Sequence, residues 1–467
     1  MSKLMNPLTQ TPLTNLQTRF AILDLNGETR IVDREQINFR GNDEVFYYKK
    51  TDAELHMSRE LELMPVSNPK QIIKDFWINP DTHVYKKIAF HPDEKSPTTL
   101  NYWRGNTVLP AKGNWSCIQE FLFEVICASD RLTYEYLISF LAHMLQKPEE
   151  KPGVMIVLLG GQGTGKGVFF QLVSHIWSNM TLLISDIDQV LGRFNAALER
   201  NFIVCMDEAL FAGDRKATDR LKSLVTESSI HIEQKYQPAR SIVSVHRFFA
   251  ASNHDHFASV DHDDRRFLIL RVSEKYQRNT HYFSKVCASI KDLNVIRAMV
   301  YELDQIDLKA FNVRAKPETR EHALQKIQSL RGFVRYWFEV LSTGDLSGGR
   351  GALNEWHKPR FIATKILVNE YANFDQQAER FQSYQQAQAL SILQKVCPSI
   401  QRKRELSSVA ELSVKEQLRG VLLPELSVAR IDFSNYLGCH VEWDEVTSHR
   451  QQNGSSTYQY SSHDSPF

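Results

Sequence analysis

A chain of 467 residues amounts to roughly three domains at ordinary sizes and is long enough to bury a large core. Its 42% hydrophobic and 24% charged content is that of a soluble globular protein, and a net charge of +1 does not advertise a nucleic-acid partner, so any such surface must be local. The cysteines (Cys117, Cys127, Cys205, Cys287, Cys397 and Cys439) form no C-x-x-C pair, which argues against a zinc ribbon or disulfide framework and fits a reducing cytosol.

The opening "MSKLMNPLTQTPLTNLQ" is polar, lacks the apolar core of a signal peptide, and reads as a mobile arm over residues 1–17. No apolar stretch approaches the roughly 20 residues needed to cross a bilayer, so a cytoplasmic protein without membrane contact is expected. A small α+β module follows over residues 18–112. In it "RFAILDLNGETRIV" alternates around Asn26-Gly27 as a hairpin, "HVYKKIAFHP" is a strand candidate, and "NYWRG" (Asn101 to Gly105) is an aromatic loop. Over residues 113–150 the period becomes helical in "IQEFLFEVICA" and "TYEYLISFLAHMLQ", with Pro148 and Pro152 closing the segment.

Residues 151–290 alternate buried strands with helices, the habit of an α/β domain with a largely parallel sheet. The strand candidates are "VMIVLLG", "NFIVCMD", "SIHIEQKY", "SIVSVHRFFAAS" and "RFLILRV". Helical segments are expected near Val286–Leu303 and Glu318–Leu341, so residues 291–345 form a helical region. A Gly-rich break, "STGDLSGGRGALNEW", introduces an α+β C-terminal module over 346–447, and the polar tail 448–467 is expected to be disordered. In that module "QRKREL" (Gln401 to Leu406) is a small basic cluster that reads first as a solvated helix face.

Four elements carry chemistry. Behind the strand "VMIVLL" stands "GGQGTGKG", comprising Gly160, Gly161, Gln162, Gly163, Thr164, Gly165, Lys166 and Gly167. Glycines let backbone N–H groups turn inward toward phosphate, a helix N-terminus adds favourable potential, and Lys166 would reach the β- and γ-phosphates of ATP. The alternative is a tight turn with a solvated lysine. About 40 residues on, "RNFIVCMDEA" delivers Asp207 and Glu208 to a strand's C-terminal edge, as Mg²⁺ ligand and general base for an attacking water. Asn253, ending "SIVSVHRFFAASN", would position that water, unless it only forms a turn. Arg265 and Arg266 in "DHDDRRFLIL" suit phosphate recognition from a neighbouring subunit; the alternative is an ion pair with Asp261, Asp263 or Asp264.

In this order the stretch from about Gly160 to Val272 resembles a superfamily 3 helicase, the AAA+-type motors of small DNA viruses, phages and plasmids. The likeness is strongest to the helicase portion of phage and plasmid primase-helicases and primase-polymerases, including the poxvirus-like group. It takes in "NYWRG", the helices before the loop and "GRFNAALERNFIVCMDEAL", and extends more weakly into the C-terminal module. The resemblance implies an AAA+-type P-loop ATPase core, and a C-terminal module that in relatives is often a winged-helix-like DNA-binding element. It implies that "LKSLVTESSIHIEQKYQPARSIVSVHRFFAASN" holds a β-hairpin lining the channel of a homo-hexameric ring, with Lys235 and Tyr236 on the DNA backbone and Arg240 beside them.

Two departures stand out. Fewer than about 120 residues precede the helicase helices, a short domain by ordinary sizes, so no primer or DNA synthesis by this chain is expected. Gly167 replaces the hydroxyl residue that ligates Mg²⁺ in many such loops, but Mg²⁺ normally keeps several waters and needs only one or two protein oxygens. The expectation is an ATP-dependent helicase on single-stranded or forked DNA in phage or plasmid replication, with a separate primase or polymerase as a further partner. A loader or remodeller that does not unwind, or an initiator whose ATP site only assembles the ring, are the competing readings.

Overall fold

The computed structural model describes residues 11–443 apart from positions 26, 256, 259 and 262 and segments 35–46, 209–214, 235–238, 347–355, 375–381 and 409–414. The tail 448–467 and most of the Gly-rich break therefore lie outside the described residues. The chain divides into two units, Met1–Gln328 and Ser329–Phe467.

The first unit opens on α1 (Pro12–Arg19), whose N-terminus Thr11 caps by accepting the Thr14 amide. The expected arm is thus helical from Pro12, because Leu16 is fully buried and anchors it. Strands β1 (Phe20–Leu25) and β2 (Glu28–Asp33) form the hairpin signalled by Asn26-Gly27, although Asn26 lies outside the described residues. With β3 (Tyr47–Tyr48) and β4 (Val84–Tyr85) they make a sheet of order β3-β2-β1-β4. Helices α2 (Lys50–Glu62) and α3 (Pro69–Ile78) pack on it through Met57, Leu61, Ile73 and Phe76. Strands β5 (Lys87–Ala89) and β6 (Thr99–Asn101) form a separate parallel pair.

Helix α4 (Ser116–Glu120) runs into a π-helical stretch, Phe121–Ile126, closed by Cys127 N–H donating to Leu122 O. The single α-helix expected over Ile118–Ala128 is therefore widened by one residue per turn. Helix α5 (Arg131–Gln146), capped by Asp130, ends at Lys147 just before Pro148.

The core is a five-stranded, all-parallel sheet of order β13-β7-β12-β9-β8. In chain order its elements are β7 (Met155–Leu159), α6 (Lys166–Ile176), β8 (Thr181–Ile184), α7 (Asp188–Leu191) and β9 (Ile203–Met206). There follow α8 (Arg215–Thr226), β10 (Ser229–Ile232), β11 (Arg240–Val243), β12 (Arg247–Ser252) and β13 (Phe267–Arg271). Strands β7, β9 and β12 are buried at every position, as a sheet covered on both faces requires. Ile156 and Leu158 face Phe140, Phe169 and Val173, whereas Met155, Val157 and Leu159 face the layer of Leu221 and Val225.

Two sequence expectations change here. "SIHIEQKY" does not join the core sheet: β10 alternates exposed and buried residues and pairs antiparallel with β11 alone. "SIVSVHRFFAAS" is two strands, β11 and β12, broken at Ser244–His246. The fifth core strand is instead β8, a short edge strand whose Leu183 is exposed and whose pattern is too brief to read. The unit ends with α9 (Thr280–Lys291), α10 (Leu293–Asp304) and α11 (Arg320–Gln328); Asp292 splits the expected helix near Val286–Leu303 by capping α10 through the Asn294 amide.

The second unit runs α12 (Gly332–Thr343), β14 (Arg360–Ala363), α13 (Thr364–Phe374), α14 (Gln382–Val396), β15 (Gln401–Ser408), β16 (Lys415–Leu423) and α15 (Leu426–Leu437). Its sheet is antiparallel, of order β14-β16-β15. "QRKREL" is strand β15, not a helix face, because Gln401–Ser408 pairs residue by residue with Leu422–Lys415. No described helix is long and apolar enough to cross a membrane.

Candidate functional site

The sheet register sets the site. Strand β7 stops at Leu159, the chain turns through Gly160–Gly165, and α6 starts at Lys166. Gly165 caps α6 in a left-handed conformation, φ +103°, which costs a residue with a Cβ. The Val168 and Phe169 amides return to Gly165 O, so the loop amides ahead of them have no place in the helix ladder. Thr164 Oγ1 donates to Gly161 O at 2.9 Å and pins the loop.

Because β12 lies beside β7 and β9 beside β12, their C-terminal ends converge on this loop. Asn253 follows β12, and Asp207 and Glu208 follow β9. Lys166 Nζ donates to Gly160 O at 2.5 Å, Gly161 O at 2.9 Å and Asn253 Oδ1 at 2.8 Å. Burial holds its pKa below the ordinary lysine value, with the charges of Asp207 and Glu208 working the other way. The Asp207 amide donates to Ile184 O at 2.8 Å, tying it to the end of β8. Glu208 is held at φ +53°, with its amide donating to Asp207 Oδ1 at 3.0 Å. A strained non-glycine residue at such a position is characteristic of functional sites.

These residues line a cleft of about 350 Å³ together with Gln171 and Phe283. It combines a buried cation, two carboxylates, an amide and a helix N-terminus, a set that suits a polyphosphate on one side and a hard cation on the other. The Asp207 carboxylate is a hard oxygen donor of the kind Mg²⁺ takes. At Gly167 nothing lies within 4 Å of where a Cβ would stand, so there is room for a water at this position.

The structure also brings in residues the sequence did not flag. The segment after β13 packs over the loop: Gln277 Nε2 donates to Gln162 O at 3.1 Å and the Arg278 amide to Gly163 O at 3.0 Å. Arg278 is exposed, sits at φ +58°, and places its Cγ 3.1 Å from where a Cβ on Gly163 would be. It adds a cation at the loop from more than a hundred residues downstream, a contact no local pattern encodes.

Other expected residues lie elsewhere. Phe267 pairs with Met155 and Arg271 with Leu159, so Arg265 and Arg266 sit at the sheet edge opposite the loop. Five residues of strand, about 16 Å, separate them from their own cleft. Arg266 pairs with buried Asp264 at 3.5 Å, whose Oδ1 also accepts the Arg266 and Phe267 amides, while Arg265 is exposed. Lys235 and Tyr236 lie outside the described residues. Arg240 opens β11 opposite Ile232, on the rung of the β10–β11 pairing next to the connecting segment, giving Nε and one terminal nitrogen to the two carboxylate oxygens of buried Glu199, each at 2.6 Å. Burial opposes the Arg240 charge, but Glu199 outweighs it and raises its pKa.

This geometry places the chain in a mixed α/β class with a parallel core sheet and a glycine loop at that sheet's C-terminal edge. A family of unknown function (DUF5906) matches residues 158–266, which take in the loop, Asp207, Glu208, the hairpin and Asn253. The DNA primase-polymerase of Nitratiruptor phage NrS-1 is 30% identical over 259 residues, covering 50% of this chain and 34% of that protein. The chain thus spans about a third of the length of that relative. Solved structures of the NrS-1 C-terminal region share the fold: an apo structure of residues 305–718 matches with a TM-score of 0.64 at 16% identity, over 89% of this chain and all of that one. A second apo form matches with a TM-score of 0.61 over the same shares.

Proposed function

We propose that the chain is an ATP-hydrolysing DNA helicase of the superfamily 3, AAA+ type, acting in the replication of a phage or similar mobile element. The observation that carries this reading is the convergence of Lys166, Asp207, Glu208 and Asn253 on one glycine loop. Similarity to a phage DNA primase-polymerase supports the replication setting.

In this reading the γ-phosphate takes over the Lys166 ammonium from the carbonyls of Gly160 and Gly161, where it now rests. Asp207 would hold Mg²⁺, which when bound would supply neutralisation of the polyphosphate charge. Glu208 takes a proton from the attacking water as Asn253 orients it. Arg278 lies at the same subunit's loop, whereas Arg265, exposed on the far edge, can serve only a neighbour's cleft. That division favours a ring with sites between copies, a homo-hexamer by the resemblance. Lys235 and Tyr236, which fall between β10 and β11 in the sequence, would grip the strand by phosphate contact and stacking, which tolerates any sequence.

A second reading, an initiator that assembles on duplex DNA without unwinding it, is favoured by the second unit. Its helix, strand, two helices and paired strands follow the winged-helix order, and β15 exposes Arg402, Lys403 and Arg404 in succession. Strand displacement on a forked duplex separates the two. The helicase reading expects ATP-dependent release of the displaced strand, lost in Lys166→Ala; DNA-stimulated hydrolysis without release would favour the initiator.

A further inference from the structure

Among the described residues the β10–β11 hairpin makes no strand pairing with the core sheet, yet both of its arms are fastened by one short segment, Arg193–Arg200. On the β10 arm, Asn195 Nδ2 donates to His231 O at 2.9 Å and its Oδ1 accepts the Glu233 amide at 3.0 Å, so one side chain replaces the ladder a neighbouring strand would supply. Arg193 adds an exposed ion pair to Glu233 at 2.8 Å. On the β11 arm, Glu199 holds Arg240 bidentately. Arg240 is the register partner of Ile232, so both arms are gripped at the last described rung of the pairing.

The gripping segment is itself fixed to the inner strands of the core. Ala196–Arg200 is a 3₁₀ turn that leads through Asn201 and Phe202 into β9. Leu198 O accepts Nε2 of fully buried His246, on the link into β12, and Phe202 O accepts the Arg247 amide at 2.7 Å. Strands β9 and β12 are the two that end on Asp207–Glu208 and Asn253. Each therefore has one end at the hairpin clamp and the other in the cleft, only about 13–20 Å apart.

We propose that Asn195 and Glu199 are positioning residues that make the β10–β11 hairpin move as one body with β9 and β12, so that the state of the cleft sets the position of the paired strands. The inference rests on the proposed ATPase reading and adds to it the element that carries the coupling. A physical claim of coupling requires that cutting the link uncouples the two sites without disabling either.

The test compares wild type, Glu199→Gln and Asn195→Ala by ATP turnover with and without oligothymidylate, at a temperature well below each melting midpoint. Neither residue touches the cleft, so basal turnover should stay within about twofold. The ratio of DNA-stimulated to basal turnover should fall toward one. A clamp that only stabilises the fold would instead lower the melting midpoint and leave the ratio in the folded protein unchanged, which overturns the proposal. Asn195→Ala, which leaves the Glu199–Arg240 pair in place, keeps the test open should Glu199→Gln fail to fold. Wild type that turns over ATP without DNA stimulation also overturns the coupling. Wild type that turns over no ATP overturns the function it rests on.

Discussion

Two glycines in and just after the same glycine loop should respond in opposite directions to alanine. At Gly165, φ is +103° and an added Cβ would stand 2.7 Å from Phe283 Cε1 and 3.2 Å from Phe121 Cε2. The left-handed backbone costs about 1–2 kcal/mol for a residue with a side chain, and a methyl forced between packed rings about 1–3 kcal/mol more. Gly165→Ala should therefore lose roughly 2–5 kcal/mol. Gly167 lies inside α6 with nothing within 4 Å of its would-be Cβ. Gly167→Ala should gain up to about 1 kcal/mol from helix propensity alone. Urea unfolding followed by tryptophan fluorescence should place the Gly167→Ala midpoint above wild type and the Gly165→Ala midpoint below it. Gly167→Ser tests the chemistry as well: an added hydroxyl ligand worth about 1 kcal/mol would lower the Mg²⁺ needed for half-maximal turnover roughly fivefold. A Gly165→Ala protein as stable as wild type, or a Gly167→Ala protein less stable, would refute the packing on which the site is built.

Glu208→Gln should bind ATP as wild type does and lower turnover about 10²–10⁴-fold, as loss of a general base predicts; undiminished turnover removes that role. Arg265→Ala and Lys166→Ala should each be inactive alone, and mixing them should restore part of the turnover, since some interfaces then combine an intact loop with an intact arginine. Absence of recovery contradicts a shared site. Burial, with the Lys151 charge acting in the same direction, holds His246 at about 3 against 6.5 for an ordinary histidine. The unfolded chain takes up a proton that the folded chain refuses, so stability falls as pH drops from about 6.5 toward 3, at up to ~1.4 kcal/mol per pH unit from this group. His246→Gln should flatten that slope in urea titrations across the window, and an unchanged slope would assign the acid sensitivity elsewhere.

What was legible in the sequence was whatever a short window encodes. Continuous apolar runs marked β7, β9, β12 and β13 because strands covered on both faces need no polar alternation. The loop and its carboxylates were legible because glycine spacing and a strand end are local features. The edge strand β8 was not, since four residues with an exposed Leu183 carry too little pattern. Assigning "SIHIEQKY" to the core sheet failed although its alternation was visible, because a half-buried strand declares its pattern but not its partner. Gln277 and Arg278 reach the loop only because β13 lies next to β7 in the sheet, and Glu199 meets Arg240 across 41 residues of chain. Such contacts belong to the topology, and no spacing rule anticipates them.

Calorimetric titration of Mg²⁺-ATP into the purified chain, beside Lys166→Ala, addresses the central claim most directly. The account predicts saturable uptake of one nucleotide per chain that disappears when the Lys166 ammonium is removed. Heat indistinguishable from dilution in wild type, or equal uptake by both proteins, would contradict it.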